Sequence, residues 1–188
     1  MVQIATKNYS FEEYLNYNDG TDNKYELVNG ELKLMPTPSG LHALILVLLY
    51  DIFKTEIDRL QQQWKVMPGT VGVRTADNRS RIPDLVVLSE KQCQEIKTMR
   101  TAVLQSAPLL AIEIVSPGNP EDDYRYKRSE YAVRDIAEYW IVDPEEEKVS
   151  VLLLVSGFYE VTEFRGDEAI KSVLFPELQL TANQVFSV

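Results

Sequence analysis

The chain has 188 residues and a mass of 21.5 kDa, enough for one decorated domain and cramped for two. With 45% hydrophobic, 10% aromatic and 26% charged residues, its composition is that of a chain that buries a core, which excludes disorder as the default. A single cysteine, Cys93, excludes an intramolecular disulfide framework and a structural zinc knuckle, and the net charge of −10 argues against a broad basic face for DNA.

That charge is uneven. Residues 1–36 carry three basic and six acidic side chains, residues 37–142 thirteen and fourteen, and residues 143–188 three and nine. Most of the negative excess therefore lies outside the middle of the chain. The N-terminus, MVQIATKNYSFEEYL, lacks the charged-then-apolar run of a signal peptide. The longest apolar stretch, LHALILVLLYDIF, falls short of the roughly 18–20 residues of a membrane span. The expectation is a soluble, cytoplasmic protein that does not engage a membrane.

Ser10 followed by Glu13 is a capping-box pattern, and it predicts a short helix over SFEEYLNYND, an N-terminal outrigger ending near Asp19-Gly20. Residues 24–28 and 31–35 alternate polar and apolar around Asn29-Gly30, which predicts a β-hairpin. After the turn cluster Pro36-Thr37-Pro38-Ser39-Gly40, apolar residues from Leu41 to about Gln63 recur at three and four, predicting the long core helix. One or two strands follow between Trp64 and Arg74, broken at Pro68-Gly69, then buried strands at Asp84–Leu88 and Leu109–Val115, with a short helix between them. Ser116-Pro117-Gly118-Asn119-Pro120 turns into a helix over about 121–135. A strand at 138–143 leads into a meander over 149–155 and 158–164, and FPELQLTANQVF wraps the edge. With no repeat or linker, the pattern predicts one α/β domain built on an α+β mixed sheet.

Three residues look chemically out of place. Glu113 interrupts a strand apolar on both faces, where an unpaired carboxylate costs several kcal/mol. It pairs with a cation, binds a metal or takes up a proton, unless that face is exposed. Asp84 follows Pro83 at the start of a second apolar strand, where Pro-Asp reads equally as an ordinary turn; if the two strands are neighbours, their paired carboxylates suit a hard cation such as Mg²⁺. Lys127 lies on the next helix. The strand from Glu113 to Pro117 advances about 13 Å, and six or seven residues of a helix folding back retrace about 10 Å, so Lys127 returns to the level of Glu113 or else faces solvent. His42, the only histidine, and Glu26 are weaker candidates that read more readily as ordinary helix and hairpin residues. Arg74, Arg79 and Arg81 are candidate phosphate contacts or solvated loop charges.

These stretches together resemble one family: Tyr25-Glu26-Leu27-Val28-Asn29-Gly30-Glu31-Leu32, His42 after a Pro/Ser/Gly turn, Pro83-Asp84, Glu113-Ile114-Val115-Ser116-Pro117, Lys127 with Tyr131, and Glu138-Tyr139-Trp140-Ile141-Val142-Asp143-Pro144. From about residue 10 to 180 the chain resembles the Uma-two family of restriction endonucleases, within the PD-(D/E)XK nuclease superfamily. The resemblance implies a restriction-endonuclease-like core, a central mixed sheet flanked by helices. Residues 1–36 would then form an N-terminal helix and hairpin, 37–143 the catalytic core and 144–188 the C-terminal strands of a single domain, 1–188.

It also implies Mg²⁺- or Mn²⁺-dependent hydrolysis of DNA phosphodiester bonds. Asp84 and Glu113 match the two metal-binding carboxylates, and Lys127 matches a catalytic lysine moved onto the following helix, since the usual lysine position, two residues after the glutamate, holds Val115. His42 and Glu26 would form a second tier of the pocket. Pairing of such nucleases to cut two strands implies a homodimer. Val115 and the charge of −10 keep two alternatives open: an inactive nuclease-fold module binding nucleic acid or protein, and a metal-dependent hydrolase of a smaller phosphorylated substrate.

Overall fold

The computed structural model describes residues 7–188. Residues 1–6, on which part of the signal-peptide reading falls, lie outside the described residues. In chain order, Ser10 and Glu13 form the expected capping box and start helix α1, Phe11–Leu15. Strands β1, Tyr25–Val28, and β2, Glu31–Leu34, pair antiparallel with Leu27 opposite Leu32. Their turn puts Asn29 at φ 53° and Gly30 at φ 83°, the left-handed pair that a two-residue hairpin requires.

Ser39 caps α2, Gly40–Arg59. Next come β3, Lys65–Pro68, β4, Gly72–Ala76, β5, Arg79–Arg81, and β6, Leu85–Leu88. Helix α3, Glu90–Ile96, and strand β7, Val103–Leu104, precede β8, Leu110–Ile114. Helix α4 is wound as a π-helix over Asp122–Lys127 and as an α-helix over Arg128–Val133. Strands β9, Glu138–Asp143, β10, Lys148–Val155, and β11, Phe158–Arg165, form the expected meander, and α5, Ala182–Phe186, ends the chain. Among the described residues no helix is long and apolar enough to cross a membrane.

The strands build the expected central mixed sheet and, beside it, a second, smaller mixed sheet. The larger runs β11-β10-β9-β8-β6-β3, with β8 and β9 parallel; the smaller runs β2-β1-β5-β4-β7, with β4 and β7 parallel. The hairpin enters the smaller sheet through β5, where Leu27 pairs with Ser80. Helix α1 is no outrigger: it stops at Leu15, and Tyr14 packs with Leu27 and Val103 against that sheet.

Residue alternation gives the large sheet two buried faces. On one, Leu85, Val87, Ile112, Trp140 and Val142 meet Ile45, Leu49 and Phe53 of α2, together with Phe175 and Val185 from the C-terminal segment. On the other, Val86, Ala111, Tyr139 and Ile141 meet Tyr131 of α4 and Val73 and Leu104 of the small sheet. Helix α4 and the small sheet thus cover the face toward which odd-numbered residues of β8 point. Glu113 belongs to that set.

Candidate active site and metal centre

Register brings the first two candidates together. Leu85 pairs with Ile112 across β6 and β8, so the next step of the same antiparallel register sets Asp84 opposite Glu113. Beyond the last paired residue of β6, the Asp84 side chain takes over from the backbone: its Oδ2 accepts from the Ile114 N–H at 2.7 Å. Its Oδ1 lies 3.1 Å from His42 Nε2. Ser39 Oγ accepts from the His42 N–H and fixes this histidine in the first turn of α2. His42 is buried, and its Nδ1 has no partner among the described residues.

Glu113 is 2% exposed. Its Oε1 accepts from the Tyr131 hydroxyl at 2.5 Å and its Oε2 lies 2.8 Å from Lys127 Nζ. The same ammonium lies 2.8 Å from Asp123 Oδ1. Helix α4 therefore folds back far enough for Lys127 to reach Glu113, the distance that strand and helix rises imply. The π-wound turn carries both Asp123 and Lys127, and Tyr139 donates its hydroxyl to the Asp123 carbonyl at 3.1 Å. Wide turns of this kind occur often at functional sites.

The electrostatics follow from burial. Loss of water raises the Glu113 carboxyl well above the usual range; Lys127 opposes this, and Asp84 and Asp123 add to it. Asp123 is raised for the same reasons. Burial works against the Lys127 charge, yet Glu113 and Asp123 lift its pKa well above the ordinary lysine value. The result is one ammonium among three buried carboxyl groups, a crowding that either a proton or a cation relieves.

Asp84, Glu113, Asp123, Lys127, His42 and Glu26 all line one cavity of about 540 Å³. Glu26 is already spoken for, since its Oε1 accepts from the Ile82 N–H at 2.9 Å and its Oε2 from Arg81 at 3.0 Å. The three arginines require a correction. None lines the cavity. Arg74 lies over the Phe11 ring and bonds Gln105 and the Ala76 carbonyl, while Arg79 donates to Asn29 at 2.6 Å. Arg81 is 1% exposed and bound to Glu26, Asp122 and Glu130, so it is out of a phosphate's reach. Instead it ties β1 to the π-wound and α-wound parts of α4.

Burial alone would raise the Glu130 carboxyl, but the bonds and charge of Arg81, with Thr75 and Arg79, bring it below its usual value. The native state then binds fewer protons here than the unfolded chain. This stability is complete above an unfolded carboxyl pKa of about 4.3 and is lost as pH falls through the lower native value. Glu130→Gln is expected to flatten the loss of urea midpoint on acidification below about pH 5. An unchanged slope would remove Glu130 from the acid response.

Val115, at the position where the resembled pattern has its lysine, is 3% exposed and packed in the core beside Tyr139 and Ile141. A lysine there would have to bury its charge among apolar groups. Asp123 is a member of the cluster that sequence reasoning missed, although its spacing of four from Lys127 was a usable signal. Ser116 and Asn119, from the turn after β8, also line the cavity.

Residues 11–183 match the Uma2 family, whose description is "Putative restriction endonuclease". The chain belongs to this family. Among solved structures it is similar to a protein from Anabaena variabilis ATCC 29413, described as a putative nuclease belonging to DUF820. The two share 22% identity and a TM-score of 0.78 over 95% of this chain and 97% of that one, so they share a fold. Nothing among curated proteins matches. For a Uma2 chain the question is whether the residues fit a divalent ion. Among the described residues no group of three or more His, Cys, Asp or Glu side chains is arranged to hold a metal ion, which argues against a closed, protein-only cage. Asp84 and Glu113 do fit an ion that takes one or two carboxylates and keeps several waters, the habit of Mg²⁺, and Mn²⁺ favours the same oxygen ligands.

Proposed function

We propose that the protein is an endonuclease that hydrolyses DNA phosphodiester bonds with Mg²⁺ or Mn²⁺. The observation that carries this reading is the convergence of Asp84, Glu113 and Lys127 on one cavity, with Lys127 Nζ 2.8 Å from Glu113. Asp84 and Glu113 would hold the ion, which when bound supplies an acidified water and offsets charge on the scissile phosphate.

The chain's own groups do the rest. The Ile114 N–H and His42 orient the Asp84 carboxylate, and the Tyr131 hydroxyl orients Glu113. Lys127, held 2.8 Å from Glu113 and Asp123, would exchange the Glu113 contact for a phosphate oxygen, orient the attacking water and stabilise charge in the pentacovalent transition state. It takes the role that Val115 cannot fill.

The test is a comparison of wild type and Glu113→Ala, purified in parallel, on supercoiled plasmid in Mg²⁺, Mn²⁺ and EDTA. Nicking by the wild type in metal alone, absent from the variant, is the expected result. Equal inertness of two folded proteins would turn the reading to a non-catalytic binding module. Thermal melts in the same buffers supply a second prediction: Mn²⁺ raises the wild-type midpoint and leaves that of an Asp84→Ala, Glu113→Ala double variant unmoved.

A further inference from the structure

The carboxylate cavity is a poor electrostatic host for a polyanion, since three lysines face six carboxylates in its lining. One of those lysines, Lys127, is committed to Glu113 and Asp123. Affinity for a nucleic acid must therefore come in part from elsewhere. A second hollow of about 390 Å³ shares Asn23, Lys24 and Ile82 with the first, so the two adjoin. Its charge has the opposite sign: Lys24 and Arg100 outnumber the single carboxylate, Asp19.

The second hollow also has an aromatic platform. Tyr17 is 37% exposed and is steadied by near-perpendicular contacts with Tyr9 and Tyr25, at centroid distances of 5.6 and 5.3 Å. Tyr25 is fixed in turn by donating its hydroxyl to Asp19 at 2.6 Å. Arg100 is exposed and has no ion pair or hydrogen bond among the described residues. An exposed, braced ring beside a free guanidinium is the pairing that holds an unstacked base and its phosphate in single-stranded nucleic-acid sites.

We propose that this hollow is the subsite for a nucleotide flanking the cleaved bond, with the base stacked on Tyr17 and the phosphate on Arg100. The assignment rests on the nuclease reading and narrows it, because a base can reach Tyr17 only when it is out of a duplex. The preferred substrate is then single-stranded or frayed DNA.

The test is fluorescence anisotropy with a labelled 12-nucleotide single strand and its blunt duplex, in Ca²⁺. Wild type is expected to bind the single strand more tightly than the duplex. Tyr17→Ala should weaken single-strand binding roughly tenfold, within the range for loss of one stacked base, and Tyr17→Phe should retain it. Arg100→Glu should weaken binding and make the salt dependence shallower. Wild-type affinity in both Tyr17→Ala and Arg100→Glu would overturn the subsite while leaving the nuclease reading intact, as would a wild type that cleaves plasmid but favours duplex. A wild type that binds neither probe and cleaves no DNA would overturn both.

Discussion

Arg81→Met is expected to lower global stability by about 3–5 kcal/mol, the usual cost of removing one partner from a buried ion pair. The guanidinium is 1% exposed and contacts three carboxylates: Glu26 at 3.0 Å, Asp122 at 3.2 Å and Glu130 at 2.7 Å. Burial works against its charge, and the bonds and charges of Glu130, Glu26 and Asp122 more than offset this. Methionine fills much of the same space but leaves those carboxylates without their common cation. Against a typical total of about 5–15 kcal/mol, that is a large share of the whole. Arg81→Lys should recover only part of the loss, because a single ammonium cannot reproduce the planar fork that serves carboxylates on two sides. Urea midpoints decide the matter: a loss below about 1 kcal/mol would put the pairs in the class of weak, solvent-screened ones.

This network also shows where sequence reasoning stops. The partners of Arg81 lie 41, 49 and 55 residues away, and no spacing rule connects them. A cluster of arginines in a turn-rich stretch looks like a phosphate site until the fold folds Glu26, Asp122 and Glu130 over it. Strands β5 and β7 escaped notice for a related reason. They have three and two residues, too few for alternation to register, and β5 is polar throughout. Without them the small sheet was invisible and the hairpin looked detached.

Where the signal was local and periodic, it held. Asn29-Gly30 set the hairpin, the three-and-four spacing from Leu41 set α2, and the apolar runs around Asp84 and Glu113 set β6 and β8. Neighbouring buried strands then forced their two out-of-place carboxylates into one spot. The rise of strand and helix did the same for Lys127. The π-wound turn was not legible, because DDYRYK carries no periodic mark that separates it from an α-helical turn.

Lys127 carries the second large effect. In Lys127→Met, Glu113 and Asp123 lose the ammonium that lies 2.8 Å from each, and burial already pushes both carboxyls upward. One of them then takes up a proton, which limits the stability loss but leaves Glu113 a poorer ligand. The variant is expected to show a smaller Mn²⁺-induced rise in melting temperature than wild type. Its plasmid cleavage at saturating Mn²⁺ should fall by about 10²–10³-fold, the scale for removing one preorganised charge-stabilising group. Saturation matters, because it separates weakened metal binding from a lost role in the chemical step. Cleavage within threefold of wild type at saturating metal would remove Lys127 from the mechanism and leave it as the counter-ion that makes a buried Glu113 tolerable.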